Sequence, residues 1–258
     1  LEFRRVLFRS VAMKGVIPNT TPLFLGGMRI LPAGLFVLLA GIIFQRPQPR
    51  GWLAWGWISL FALVDGALFQ GFLAEGLVRT GAGIGSVMID TQPLTVALLS
   101  SLLFGDRVGK IGWIELFFGI IGVSCIGLPD EWIWQGLQGN FANFEVSGSR
   151  LLASGEWLML LASLSMAGGT ILIRYVCQHA DAVMATGWHM ILGGIPLFVL
   201  SGWQETQQWQ NISFDGWLAI SYATIFGSAI AYGLFFDLAS TRNLTSFAAL
   251  TFLTPVFA

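Results

Sequence analysis

The chain has 258 residues and a formal net charge of −1, from 13 Lys and Arg against 14 Asp and Glu. Apolar residues make up 55% of it, aromatics 14% and charged residues only 10%, against about 25% charged in soluble domains. A water-soluble fold is excluded for want of polar surface to cover such a core, and near-neutral charge argues against nucleic acid as a partner.

A membrane-spanning helix needs about 20 mostly apolar residues, and turn-forming and charged clusters divide the chain into such pieces. The first ten residues, LEFRRVLFRS, place Arg4, Arg5 and Arg9 where a first helix should run. FRRVLFRS resembles the translated read-through of a short-read sequencing adapter, so residues 1–10 are set apart as an assembly artefact and not as a basic cytoplasmic flank. An incomplete span follows at 11–18, then full spans at 22–44, 52–75, 81–104, 110–128, 155–176, 183–203 and 214–239, and a second incomplete one at 245–258. The expected fold is an all-α polytopic bundle cut short at both ends. Cys125 and Cys177 lie in or beside separate spans and form no disulfide or metal-ligand pattern.

If the loop PNTTP is outside, Arg46, Arg50, Arg107, Lys110, Arg174 and Arg242 are inside, whereas only Arg79 and Arg150 are outside. That distribution obeys the positive-inside rule. The longest connection, residues 129–154, then lies on the periplasmic side, where Trp132 and Trp134 read as interfacial anchors.

The chain also resembles itself. Lys14, Gly27, Arg29 and Gly34 align with Arg174, Gly187, His189 and Gly194, about 160 residues on. Five helices separate the spans ending near Lys14 and Arg174, so equivalent helices run in opposite directions. The expectation is two inverted five-helix repeats, 11–128 and 155–258, the symmetry on which many secondary transporters are built.

An ionisable residue at the centre of a membrane helix costs at least about 2.5–3.5 kcal/mol, which makes each one a functional candidate. Asp65 and Asp90 sit near the middle of their spans, and Arg29 and His189 occupy equivalent repeat positions. At helical spacing, Gly83, Ser86, Asp90, Pro93 and Ala97 form one small, polar stripe, and Ser221, Thr224, Ser228 and Tyr232 form another. Ala62, Asp65, Phe69 and Phe72 form a mixed acidic and aromatic face. Two plainer readings stand beside these: Arg29 pairs with Asp65 or Asp90 to lock helices together, and His189 is a hydrogen-bonded packing residue. Gly81 with Gly85, and Ala223 with Gly227 and Ala231, read as close helix contacts.

PLTVALLSSLLFGDRVGKIGWIELFFGIIGVSCIGLP, residues 93–129, resembles the closing helix pair of the EamA-type repeat of the drug/metabolite transporter superfamily, with Asp106 where a Glu is usual in the Gly105-Asp106-Arg107 turn. Residues 22–41, with Arg29, resemble that repeat's second helix. The resemblance implies a ten-helix transporter in the inner membrane of a prokaryote, with both termini inside, no cofactor and a small-molecule cargo. It implies an exporter of amino-acid-like or other partly apolar metabolites working by alternating access, with a coupling proton as a further cargo. Arg29 would meet an anionic group, Asp65 or Asp90 a cationic group or proton, and His189, Tyr232 and Ser228 would add polar contacts from the other repeat. The alternatives are a polytopic acyl or lipid-head transferase, for which His179 and His189 offer no acid at catalytic spacing, and a structural membrane protein.

Overall fold

The computed structural model describes residues 19–89, 91–105 and 154–241, with scattered positions between 109 and 122. Among the described residues seven helices carry the fold: α1 Pro22–Ile43, α2 Trp52–Arg79, α3 Ala82–Ile89, α4 Gln92–Phe104, α5 Gly155–Val176, α6 Ala182–Gln204 and α7 Phe214–Ser240. No strand occurs among the described residues. Six stretches of the described residues are long and apolar enough to cross a membrane: α1, α2, α5, α6, α7 and Val87–Phe104, which runs from the end of α3 through α4. The expected all-α polytopic bundle is therefore what forms. The incomplete spans at 11–18 and 245–258 and most of 110–128 and 129–154 lie outside the described residues.

Two span boundaries differ from the sequence expectation. The span expected over 81–104 falls into two helices because Pro93 stands in the first turn of α4, where it lacks an N–H and would clash with the carbonyl four residues back in a continuous helix. Thr91 rounds the corner, its Oγ1 donating to the Met88 carbonyl at 2.6 Å. The span expected to stop at residue 75 runs on to Arg79, where Arg79 and Glu75 pair at 2.7 Å across one turn. Charge at those two positions does not end the helix. Gly105 closes α4 at φ +68°, the left-handed cap that only glycine adopts cheaply.

The centre of the bundle is the antiparallel pair α1 and α6. Their first residues, Pro22 and Ala182, are 160 positions apart, and their buried positions coincide at that offset: Phe24, Leu25, Gly27, Arg29, Ile30, Ala33, Gly34 and Val37 match Met184, Ala185, Gly187, His189, Met190, Gly193, Gly194 and Leu197. Their contacts are exchanged by the same offset. A Cβ on Gly34 would strike Met190 and Ile191 at 2.9 Å, and one on Gly194 would meet Ile30 and Leu31 at 3.3 and 3.0 Å. Likewise Gly27 packs on Phe198 and Gly187 on Leu38. Reciprocal contacts of this kind define a two-fold axis across the pair, the relation an inverted repeat requires. Small residues let the backbones approach closely, which is the main attraction between helices in lipid.

α2 and α7 match in a second way. Each widens into a π-helical stretch, Ala62–Phe69 in α2 and Ile225–Ile230 in α7, beginning about three turns into its helix. Gly66 in the first stretch lies so close to Gly193 of α6 that a Cβ on it would come within 2.8 Å of the Gly193 Cα. Widened turns of this type recur at functional sites because they shift a helix face by one residue.

Candidate functional site

The charged and polar residues singled out in the spans converge where α1, α2, α6 and α7 cross. Arg29 is 1% exposed, Asp65, His189 and Ser228 are 0% and Tyr232 is 6%. Burial this complete in an apolar bundle is stable only with specific partners.

Two hydrogen-bonded connections supply them. The Arg29 guanidinium of α1 donates to Gln70 Oε1 of α2, and Gln70 Nε2 donates in turn to the Tyr232 hydroxyl of α7 at 2.7 Å. One amide thus joins a cation of the first repeat to a phenol of the second. The other connection pairs His189 Nε2 of α6 with Asp65 Oδ2 of α2 at 3.1 Å. With Asp65 ionised, the shared hydrogen sits on Nε2, so Nδ1 is an acceptor in neutral imidazole and a donor in imidazolium.

Aromatic rings enclose that imidazole. Phe61 stacks on it at 3.9 Å between centroids, Phe236 meets it edge-on at 5.6 Å and Tyr232 lies parallel at 6.3 Å. The backbone of α5 closes the far side of Asp65: a Cβ on Gly169 would lie 2.5 Å from Asp65 Oδ1. His189 Nδ1 and Ser228 Oγ are buried and have no hydrogen-bond partner. Buried polar atoms left over in this way point to a ligand or proton that takes them up.

Sequence reasoning found Arg29, Asp65, His189, Tyr232 and Ser228, and the structure brings the first four into one cluster, with Ser228 one turn from Tyr232 on the same buried face. Asp90 and the side chain of Ser86 lie outside the described residues. Ser221, expected on the polar stripe of α7, is exposed, while Thr224, Ser228 and Tyr232 are buried. The buried face of this part of α7 is carried by Ile220, Ala223 and Thr224, and Ser221 stands outside it.

The plain packing role for Arg29 gains a partner the sequence reading left out, Gln70. Phe61 and Phe236 were also missed. A signal for Gln70 existed: it stands as far from Trp52, the start of α2, as Tyr232 stands from Phe214, the start of α7.

A second polar group lies between α4 and α5, where Gln92 Nε2 donates to Thr170 Oγ1 at 3.0 Å and Thr91 and Ser163 share a hydrogen bond of 2.9 Å. Among the described residues no cluster of His, Cys, Asp and Glu has the geometry of a metal site.

Known proteins carry the same pattern. The EamA-like transporter family model matches residues 8–128 and 153–258. The chain is 60% identical over 250 residues to the transporter sll0355 of Synechocystis sp., covering 96% of this chain and 75% of that protein. It is 45% identical over 252 residues to the WAT1-related protein At3g02690, chloroplastic, of Arabidopsis thaliana, covering 96% of this chain and 58% of the plant protein, so it spans little more than half of that relative's length. A solved crystal structure shares the fold at a TM-score of 0.67 and 15% identity, with 99% of this chain and 83% of that one superposed. The family and the Synechocystis relative are both named for transport and not for enzyme chemistry. The chain belongs to the EamA-like transporter family, as an integral, multi-pass membrane protein.

Proposed function

We propose that the protein exports small, partly apolar, amino-acid-like metabolites by alternating access, with its arginine-rich end inside the cell. Arg29 meets the anionic group of the cargo, and Tyr232 and Ser228 add polar contacts from the second repeat. Phe61 and Phe236 offer apolar surface to the rest of the molecule. The Asp65–His189 pair takes a cationic group or a coupling proton, with Asp90 a second candidate for the proton.

The observation that carries this reading is the buried network itself. It draws residues from both repeats, it is closed to solvent, and it keeps His189 Nδ1 and Ser228 Oγ in reserve. A repeat interface near the midplane is where such folds bind their cargo.

The test is uptake of labelled amino acids into proteoliposomes under an imposed pH gradient, comparing the protein with its Asp65→Asn and Asp90→Asn variants. Proton-coupled flux lost in Asp65→Asn and kept in Asp90→Asn assigns the proton to the pair. The reverse pattern assigns it to Asp90, and pH-dependent flux unchanged in both rejects proton coupling at either acid.

A further inference from the structure

The two ends of the α1 and α6 pair are joined by polar contacts between the two repeats. At one end the Glu205 carboxylate, just past α6, accepts from the Leu23 and Phe24 backbone N–H groups of α1 at 2.8 and 3.0 Å. Thr21, the cap position of α1, makes no such bond with its own side chain, so α1 takes its cap from the other repeat. Thr20 Oγ1 adds a bond to the Gln208 carbonyl at 2.6 Å.

At the other end, Asp181 Oδ1 accepts from the Val183 and Met184 N–H groups at the start of α6. These donors are the 160-position equivalents of Leu23 and Phe24. Asp181 Oδ2 faces Arg46 at 3.1 Å, and Arg46 also reaches Asp237 of α7 at 3.8 Å. Trp188 Nε1 donates to Gln48 Oε1 beside them at 3.1 Å.

Between the ends, the glycine contacts of α1 with α6 and of α2 with α6 bring the backbones to their closest approach. Motion of one repeat against the other therefore pivots at the middle. A 22-residue helix is about 33 Å long, so tilting it by about 10° about its centre moves each end by about 3 Å. That displacement breaks a hydrogen bond at the end that opens and leaves the opposite end closed.

We infer that the Glu205 carboxylate and the Arg46–Asp181–Asp237 cluster are the two gates of the transport cycle, the first closing the outer end and the second the inner end. This inference rests on the alternating-access reading above. Each gate has a carboxylate on the positively polarised start of a helix, but Glu205 caps α1 across the repeats, whereas Asp181 caps its own helix α6 and reaches the first repeat through Arg46. The outer gate thus closes on backbone donors and the inner one on an ion pair. Opening either gate exposes groups that water solvates readily, so the closed state at each end is held by bonds that can be exchanged.

The experiment places a cysteine reporter at Ser228, with Cys125 and Cys177 replaced by alanine, in the membrane-embedded protein. Its alkylation by a membrane-impermeant maleimide is timed from each side, in right-side-out and inside-out vesicles. Glu205→Gln, which turns an N–H₂ toward a backbone donor and removes the charge, is expected to raise the rate from the outer side about ten-fold and leave the inner rate unchanged. Arg46→Gln is expected to do the converse, with Arg46→Lys restoring the closed inner end.

Rates unchanged in both variants, or raised equally from both sides, would overturn the assignment. Amino-acid flux in vesicles carrying the same gate variants, with Ser228, Cys125 and Cys177 left unchanged, separates this outcome from failure of the transport reading. Side-specific opening without amino-acid flux keeps the gates and rejects the cargo. Flux without side-specific opening keeps the cargo and rejects the gates.

Discussion

His189 and Asp65, 124 positions apart in the chain, meet at 3.1 Å between Nε2 and Oδ2, with neither side chain more than 1% exposed. Removing one member of such a hydrogen-bonded pair leaves the other buried without its partner, at a cost of about 1–3 kcal/mol, and more where the remaining group is charged. His189→Ala should therefore destabilise the protein more than Asp65→Asn, because it also vacates the stack on Phe61. In a double-mutant cycle followed by thermal unfolding in detergent, the two changes should couple by at least about 1 kcal/mol. Strictly additive effects would show that the contact contributes nothing.

Gly169 sets the position of Asp65. A Cβ there would lie 2.5 Å from Asp65 Oδ1 and 2.6 Å from its Cβ, so Gly169→Ala must push the carboxylate or the helix aside. A loss of about 1–3 kcal/mol is expected from overpacking, together with reduced flux. A Cβ on Gly56, also within α2, would meet nothing within 4 Å. Gly56→Ala should gain about 0.5–1 kcal/mol by the helix preference for alanine, and equal effects of the two substitutions on the melting temperature would contradict the packing described.

Gln70 is the amide on which two partners depend. Tyr232→Phe strips the acceptor from Gln70 Nε2 and should cost about 1–2 kcal/mol for an unsatisfied buried donor. Gln70→Leu removes that donor together with an acceptor of the Arg29 guanidinium, and should cost more. Melting temperatures of the two variants settle the order. A Gln70→Leu protein as stable as Tyr232→Phe would mean that Arg29 gains nothing from the amide.

These residues also mark how far the sequence could be read. Arg29, Asp65 and His189 stood out because charge in a span is costly, and the match between Gly27, Arg29, Gly34 and Gly187, His189, Gly194 carried the repeat. Gln70 escaped because a neutral amide costs less in lipid and raises no alarm by charge alone. The π-helical stretches were illegible, since Ala62–Phe69 and Ile225–Ile230 are apolar runs like any others and their widening comes from packing against neighbours. Pro93 was visible as a break, but whether it kinks or ends a helix depends on how the backbone before it turns, here at Thr91, whose N–H and Oγ1 both donate to the Met88 carbonyl.

Cys177 lies just beyond α5, beside the inner gate. Burial pushes its thiol up to about 11, against a lowering hydrogen bond from Ser240, and the Asp181 and Asp237 carboxylates raise it further. Only the thiolate reacts, so alkylation at pH 8 should run about two orders of magnitude slower than for an ordinary cysteine. The rate should climb about ten-fold per pH unit and level off only near pH 11. Asp181→Asn and Asp237→Asn remove negative charge and should each speed the reaction at pH 8. A plateau already reached at pH 9 would contradict the environment described.

The most direct test of the central claim is amino-acid flux into proteoliposomes under an imposed pH gradient, measured for the protein and for Asp65→Asn and His189→Gln side by side. Flux that responds to the gradient in the protein and is lost in both variants is the predicted result. Flux of equal size and equal pH dependence in all three would contradict a transport site built on the Asp65–His189 pair.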